Sequence, residues 1–415
     1  MTKELRAALQ KLDQKKTEVR NLLADDKTEE AKVLMEEVRA LQVKVDKLRE
    51  EDSTSYSSLG GRPLIDDEYR DVEAGESVRV LKLEQRMSDL AQPYVIDGEK
   101  RQLSIGKYVR GLVTGDWKGA YAEQRAMSEG VLTGGGYLVP TQLSSQLIDV
   151  ARNQARVMQA GALTVPMDSN KMTLARVVDG PAVHWKKENS PITEGSMSFD
   201  AVNLVAKTLV GMARMSVELF EDAANIDKVV SDAISQALAL ELDRVGMFGT
   251  GKDPEPMGIY LTKGIQKIDM GQNGGVLTNY SKFSEAVEKI QNVNGQANGI
   301  IWAPRTAGAI DRLVDSTGQP LRAPASFETL QKFATNQVPI DMSKGTSTDA
   351  SVAFVGDWTK LLFGMRTNLV LEVSRQAAGA FENLQVLIRA YLRADVAVMK
   401  PDHFVAIDGI IPGQT

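Results

Sequence analysis

The first fifty residues restrict the fold more than any other stretch, because they carry a narrow apolar seam on a charged background. Leu5, Leu9, Leu12, Val19 and Leu23 fall at alternating a and d positions of a heptad, with Lys16 interrupting the stripe. A second stripe runs through Leu34, Val38, Leu41, Val45 and Leu48 at 4-3-4-3 spacing. Only a repeat near 3.5 residues keeps so thin a seam facing a partner helix, which predicts a coiled coil over residues 1–50. The two stripes differ in register by one residue. Between them Asp26 and Glu29 have the spacing of a capping box. A helical hairpin and a stutter in one long helix both fit. A charged helix without a partner is the plainer reading, but a seam this narrow cannot bury itself, so an interaction role is favoured.

Residues 51–99 read as a flexible linker: Ser53-Thr54-Ser55-Tyr56-Ser57-Ser58 leads into Gly60-Gly61-Arg62-Pro63, a turn-rich run. Ile105, Tyr108, Val109, Leu112 and Val113 then recur at helical spacing. Gly134-Gly135-Gly136 and Pro140 mark entry to a body of mixed helix and strand, the α+β class. Leu143, Leu147, Ile148 and Ala151 predict a helix beginning after Pro140. Residues 164–210 alternate as strands around a polar stretch, Lys186 to Ser198. The longest helical pattern of the body covers 217–248, through Val217, Phe220, Val229, Val230, Ile234, Leu238, Leu242 and Val245. Residues 352–399 are rich in strand-forming runs such as Leu369-Val370-Leu371-Glu372-Val373.

Several chemistries fail on their own terms. With no cysteine, disulfides, thiolate metal sites and cysteine nucleophiles are absent. His184 and His403 are too far apart in sequence to suggest metal-ligand spacing. No stretch approaches the ~18 apolar residues of a membrane span, and Met1-Thr2-Lys3-Glu4-Leu5 opens no signal-peptide core, so a cytoplasmic site of synthesis is expected. Gly246-Met247-Phe248-Gly249-Thr250-Gly251-Lys252 imitates a phosphate-binding loop, but Asp253 stands where a hydroxyl must meet magnesium. The glycines also follow a helix and lead into Pro254 and Pro256, the reverse of the required context. Glu188, Glu194 and Asp200 read as solvated charge. No catalytic, cofactor-binding or metal-binding residue is expected, and no cofactor.

Four segments carry a resemblance. Gly106-Lys107-Tyr108-Val109-Arg110-Gly111-Leu112-Val113-Thr114-Gly115-Asp116-Trp117 and Leu132-Thr133-Gly134-Gly135-Gly136-Tyr137-Leu138-Val139-Pro140 are two of them. The others are Ser216-Val217-Glu218-Leu219-Phe220-Glu221-Asp222-Ala223, continuing through Glu241-Leu242-Asp243-Arg244, and Phe248-Gly249-Thr250-Gly251 with Pro256-Met257-Gly258-Ile259. In this order they resemble the major capsid proteins of tailed bacteriophages, whose fold is named after phage Hong Kong 97. The likeness covers about residues 105–405 and accounts for the glycine turn without a nucleotide.

The resemblance implies an N-terminal arm at 100–136, extended in form, and a peripheral domain at 137–261 containing an E-loop at about 180–205. It further implies an axial domain at 262–362, and strands of 363–415 returning to the peripheral domain and the C-terminus. It assigns residues 1–50 to a delta-like scaffolding region. The implied role is a shell subunit of the virion, assembled in the host cytoplasm, whose partners are itself in hexamers and pentamers, a portal, a maturation protease and non-specifically held double-stranded DNA. No membrane and no enzymatic activity belong to that picture. Some members of the family cross-link an E-loop lysine to an asparagine; here Lys186 and Lys187 lie in the expected loop, while Leu384 and not Asn383 falls at the partner position. Two rivals are an encapsulin-like compartment shell, which the coiled coil and linker argue against, and a nucleotide-binding enzyme using residues 246–252.

Overall fold

A computed structural model describes residues 65–413, apart from 71–76, 91–94, 97–98, 101–102, 116, 130–140, 180–184, 186–197, 219–225, 367–368, 375–379 and 381. The coiled-coil seam, the serine-rich run, the triple glycine, His184, Lys186, Lys187, Glu188 and Glu194 lie outside the described residues. All that follows concerns one unit of the chain, Leu64–Thr415.

Strand β1 (Ile65–Arg70) pairs antiparallel with β2 (Ser77–Arg79), and β3 (Val95–Ile96) with β4 (Glu99–Lys100). Between these pairs the linker expectation fails. Val80, Leu81 and Met87 are buried, and Leu81 exchanges two backbone hydrogen bonds with Thr164, at 2.7 and 2.9 Å. An acidic, polar composition concealed three side chains that belong to the core. The arm expectation also changes form, because residues 105–114 and 121–129 are helices α1 (Ile105–Thr114) and α2 (Tyr121–Glu129). The apolar stripe of α1 lies at i, i+3, i+4 spacing, so Tyr108, Val109 and Val113 share a face and are buried in this chain's own core. The buried Glu123 of α2 accepts from the Ser104 amide at the start of α1. Gly115, at φ 75°, closes α1 with a left-handed cap.

Helix α3 (Thr141–Gln154) buries Leu143, Leu147, Ile148 and Ala151, the stripe read from the sequence. A short α4 (Arg156–Gln159) leads to strands β5 (Leu163–Met167), β6 (Lys171–Asp179), β7 (Ser198–Val205) and β8 (Lys207–Ser216). Then comes α5 (Ile226–Phe248), the long helix. Beyond it lie β9 (Gln266–Asp269), β10 (Gly275–Val276), α6 (Ser281–Asn292), β11 (Gly299–Trp302), α7 (Pro304–Asp311), α8 (Ala325–Glu328) and β12 (Gln331–Ala334). The remaining strands are β13 (Met342–Lys344), β14 (Ser347–Gly356), β15 (Leu361–Arg366), β16 (Val370–Ser374), β17 (Gln385–Val398) and β18 (Phe404–Ile411).

Among the described residues these strands form two large sheets. In the five-stranded sheet β17 is the spine: β8 runs along one edge, β15 and β16 share the other, and β5 lies parallel beyond β15. The seven-stranded sheet runs β10-β18-β14-β11-β12, with β13 on β14 and β9 on β18. The expected C-terminal block 363–415 therefore divides, β16 and β17 serving one sheet and β18 the other. In the second sheet the period-2 alternation separates two cores. Ile301, Val352, Phe354, Phe404 and Ala406 enter the core shared with α1, α3 and α5, whereas Ile300, Trp302, Ala353, Val355, Val405 and Ile407 pack against Phe283, Ala286 and Ile290 of α6. This two-faced burial explains why strands such as β14 read as continuous apolar runs.

Candidate assembly surface

The outer edge of β8 has no strand partner among the described residues. A ten-residue edge presents a row of unpaired N–H and C=O groups, the feature through which chains add strands to one another. The strand is also unusually bare, with Val210 at 53% and Met212 at 69% exposure. Residues two apart share a face, so these two form one apolar patch beside Arg389 and Tyr391, their pairing partners on β17.

Next to β8 lies α5, which is apolar on two sides. Val230, Leu238, Leu242 and Val245 are buried, yet Val229, Asp232, Ala233, Gln236, Ala237 and Leu240 form an exposed stripe at i, i+3, i+4, i+7 spacing. Adjacent residues cannot face the same way, so the pair Val229-Val230 already announced the second face. The sequence reading placed both in one helical pattern without separating the two faces. Between helix and strand runs an open groove of about 410 Å³, lined by Leu209 to Ala213, Ala233, Ile234, Ala237, Leu238, Glu241, Ile388 and Ala390. It is hollow because so many of its walls are glycine or alanine; a Cβ on Gly211 would meet only the Ala390 carbonyl oxygen, at 3.9 Å.

Strands β6 and β7 pair antiparallel from Lys171↔Val205 to Asp179↔Ser198, and their base is rooted by the fully buried Leu174 and Leu204. A carboxylate fastens that base: Asp395 of β17 accepts from the Val205 and Val396 amides, at 2.6 and 2.8 Å. Burial pushes the Asp395 carboxyl above its ordinary range, opposed by those amides and by Lys207. Farther out, Arg176 pairs with Asp200, whose carboxyl is held low first by that hydrogen bond. Beyond the strands, Trp185 stands fully exposed, at 103%. Sequence reasoning found the polar stretch but missed Asp395, which has no local signal. Asn383 and Leu384 lie together in the turn before β17, and the Leu384 backbone is left-handed at φ 50°, its carbonyl accepting from the Val217 amide.

The glycine turn after α5 is built for backbone contact and not for phosphate. A Cβ on Gly258 would fall 2.4 Å from the Gly249 nitrogen, and one on Gly249 would fall 2.4 Å from the Pro256 oxygen. The amides a phosphate would need are already engaged: Gly249 donates to Val245 O, Thr250 to Glu255 Oε2, and Gly251 to Pro256 O. Arg244 ties Glu241 to Glu255, which fixes the turn against the helix, and Glu241 foremost holds that guanidinium above its ordinary value. Among the described residues no three His, Cys, Asp or Glu side chains gather to hold a metal ion.

Asp243, 1% exposed on α5, receives the Arg156 and Val157 amides at 2.9 Å and so caps α4. It borders a polar cleft shared with Asn153, Gln236, Pro304 and Asn336. Burial drives its carboxyl from 3.8 up to about 6, against the two amides and Arg156. The sign follows from linkage: the folded form binds this proton more tightly than the unfolded chain, so stability rises as pH falls from about 6 toward 4 and is lost in the opposite direction. The expected size is at most about 3 kcal/mol. Denaturant midpoints of the wild type and Asp243→Asn at pH 4.5 and 7 should therefore differ in slope; parallel profiles would remove Asp243 from the account.

Residues 135–409 match the phage capsid family. The chain is similar to the major capsid protein of Klebsiella oxytoca phage phiKO2, 24% identical over 297 residues that cover 67% of this chain and 69% of that protein. It is also similar to the major capsid protein of Halomonas phage phiHAP-1, at 20% identity over 75% of this chain, and there it spans just over half of the relative, 55%. Among solved structures it is similar to the capsid of the native GTA particle, with 16% identity, a TM-score of 0.49, and coverage of 62% of this chain and 90% of that one.

Proposed function

The chain belongs to the phage capsid family, a family of structural shell proteins and not of enzymes, and from that premise we propose that it is the major capsid protein of a tailed phage. Copies assemble into the icosahedral shell that encloses the genome, which makes the protein a virion component assembled in the host cytoplasm. The observation that carries this reading is the family match over residues 135–409, which spans both large sheets. An encapsulin-like compartment is not favoured, since the named relatives are phage capsid proteins.

In this reading the fold is of the Hong Kong 97 type. The five-stranded sheet with α5 forms the peripheral domain, the seven-stranded sheet forms the axial domain, and β6 and β7 are the stalk of the E-loop. Shells need several distinct contacts on one chain, and the free edge of β8 with its apolar groove supplies one that a solitary subunit has no use for. Residues 1–50 act as the scaffolding region, their heptad seam bringing chains together before closure. A portal and a maturation protease are further partners. Packaged double-stranded DNA meets the shell through contacts that are independent of sequence and weakened by salt.

Electron microscopy of the chain expressed alone is the test, with closed particles expected; dispersed single chains at high concentration would count against the proposal. Deletion of residues 1–50 is expected to leave a folded body that forms irregular or wrongly sized particles. Uniform wild-type shells from that truncation would remove the scaffolding role. Mass spectrometry of the full-length particles shows whether the region is retained.

A further inference from the structure

The β6–β7 hairpin is a sheet of only two strands, and a lone two-stranded ribbon is marginally stable in water. It needs support from something packed against it. The N-terminal strands supply a candidate: β1 lies against β6 without joining its ladder, and β1 is itself paired with β2. We propose that the β1–β2 pair, residues 65–79, is an internal brace that sets the stiffness of the β6–β7 hairpin, anchored through Val80. The brace goes beyond the shell reading and does not depend on it.

The anchor is visible in the two residues that follow β2. Adjacent residues of an extended segment point to opposite faces. Leu81 enters the main core and takes the outer edge of β5 through its two backbone hydrogen bonds with Thr164. Val80, 3% exposed, goes the other way, into a small core with Leu163, Val165, Met167, Leu174 and Leu204. Leu174 belongs to β6 and Leu204 to β7, so this core is the root of the hairpin. Among the described residues Val80 is its one buried member from before residue 163. The β1–β2 pair therefore starts from a fixed point at that root and returns along β6. The Val205 amide, bonded to Asp395, and the Ala206 amide, bonded to the Asn170 carbonyl, also tie the hairpin at its root. Bending about the root is then resisted by what lies alongside β6. The coupling is mutual: a partner that lifts residues 65–70 from β6 softens the hairpin, and a contact that fixes the hairpin holds β1 down. Residues 1–63 lead into β1 through Leu64, which puts the hairpin under the influence of whatever engages the N-terminal region.

Amide hydrogen exchange of the full-length chain tests the brace, with wild type and variants compared in the same state of assembly. Val80→Ser removes the anchor. The double variant Asp67→Pro, Glu68→Pro breaks β1 while Val80 and Leu81 stay in place. Neighbouring N–H groups of a strand point to opposite sides, so one of the two prolines strikes the side that faces β2. Both variants are expected to speed exchange several-fold across 171–179 and 198–205 and to leave 385–398 and 404–411 as in the wild type. Where Val80→Ser loosens every element, the double-proline variant decides. Wild-type exchange across the hairpin of that variant would overturn the brace, as would an equal rise throughout the body.

Discussion

Gly258→Ala is expected to destabilise the body by about 3 kcal/mol or more, because a methyl group there has nowhere to go. The added Cβ would sit 2.4 Å from the Gly249 nitrogen and 2.7 Å from two further backbone atoms of the α5 terminus. Backbone cannot yield as the tip of a flexible side chain can. Relief requires the turn to open, which breaks the Gly258 N–H to Gly249 O bond and pulls Glu255 away from Arg244 and Thr250. Gly318→Ala is the control: its φ of 81° costs conformational strain, but no atom lies within 4 Å of the new methyl, so about 1 kcal/mol is expected. Denaturant midpoints for the two variants should separate widely. Equal midpoints would mean that the close approach of the two glycines is not needed.

The second large effect is expected from Arg152→Met, at about 3–5 kcal/mol, the range for breaking a buried ion pair by removing one partner. Arg152 is 1% exposed and donates to Asp149 and to the carbonyls of Gln85 and Lys82, while Asp149 receives the Met87 and Ser88 amides. Burial lowers the Arg152 pKa and Asp149 opposes that shift, so the pair survives in the core only as a pair. The two side chains clamp residues 82–88 onto α3. The variant should show a lower unfolding midpoint and new protease cuts within 80–90; an unchanged cleavage map would show that the strap is held by Leu81 and Met87 alone.

How much of this was legible in the residues depends on the range of the signal. Helices α1, α3 and most of α5 were readable because their buried faces repeat at i, i+3, i+4 within a few turns. The glycine turn was recognisable as a failed phosphate loop from Asp253 and the prolines after it. Residues 80–90 were misjudged, since Val80, Leu81 and Met87 are scattered among charges and are held by groups some sixty to eighty positions away. The same limit hid Asp243 and Asp395, whose partners lie 87 and 190 positions distant. The groove was hidden for a different reason. Val229 and Val230 look alike in sequence, and only the packing reveals that one is covered and the other is half exposed.

The placement of β17 and β18 has a consequence for biosynthesis. Each forms the middle of its own sheet, yet both belong to residues 385–411 and leave the ribosome after every other described element. Until they emerge, β8, β15 and β16 have no common partner, and β9, β10 and β14 have none either. The body therefore completes itself only once residues 385–411 have been made. A product of premature termination lacks the centre of both sheets and cannot be built into a growing particle as a defective tile.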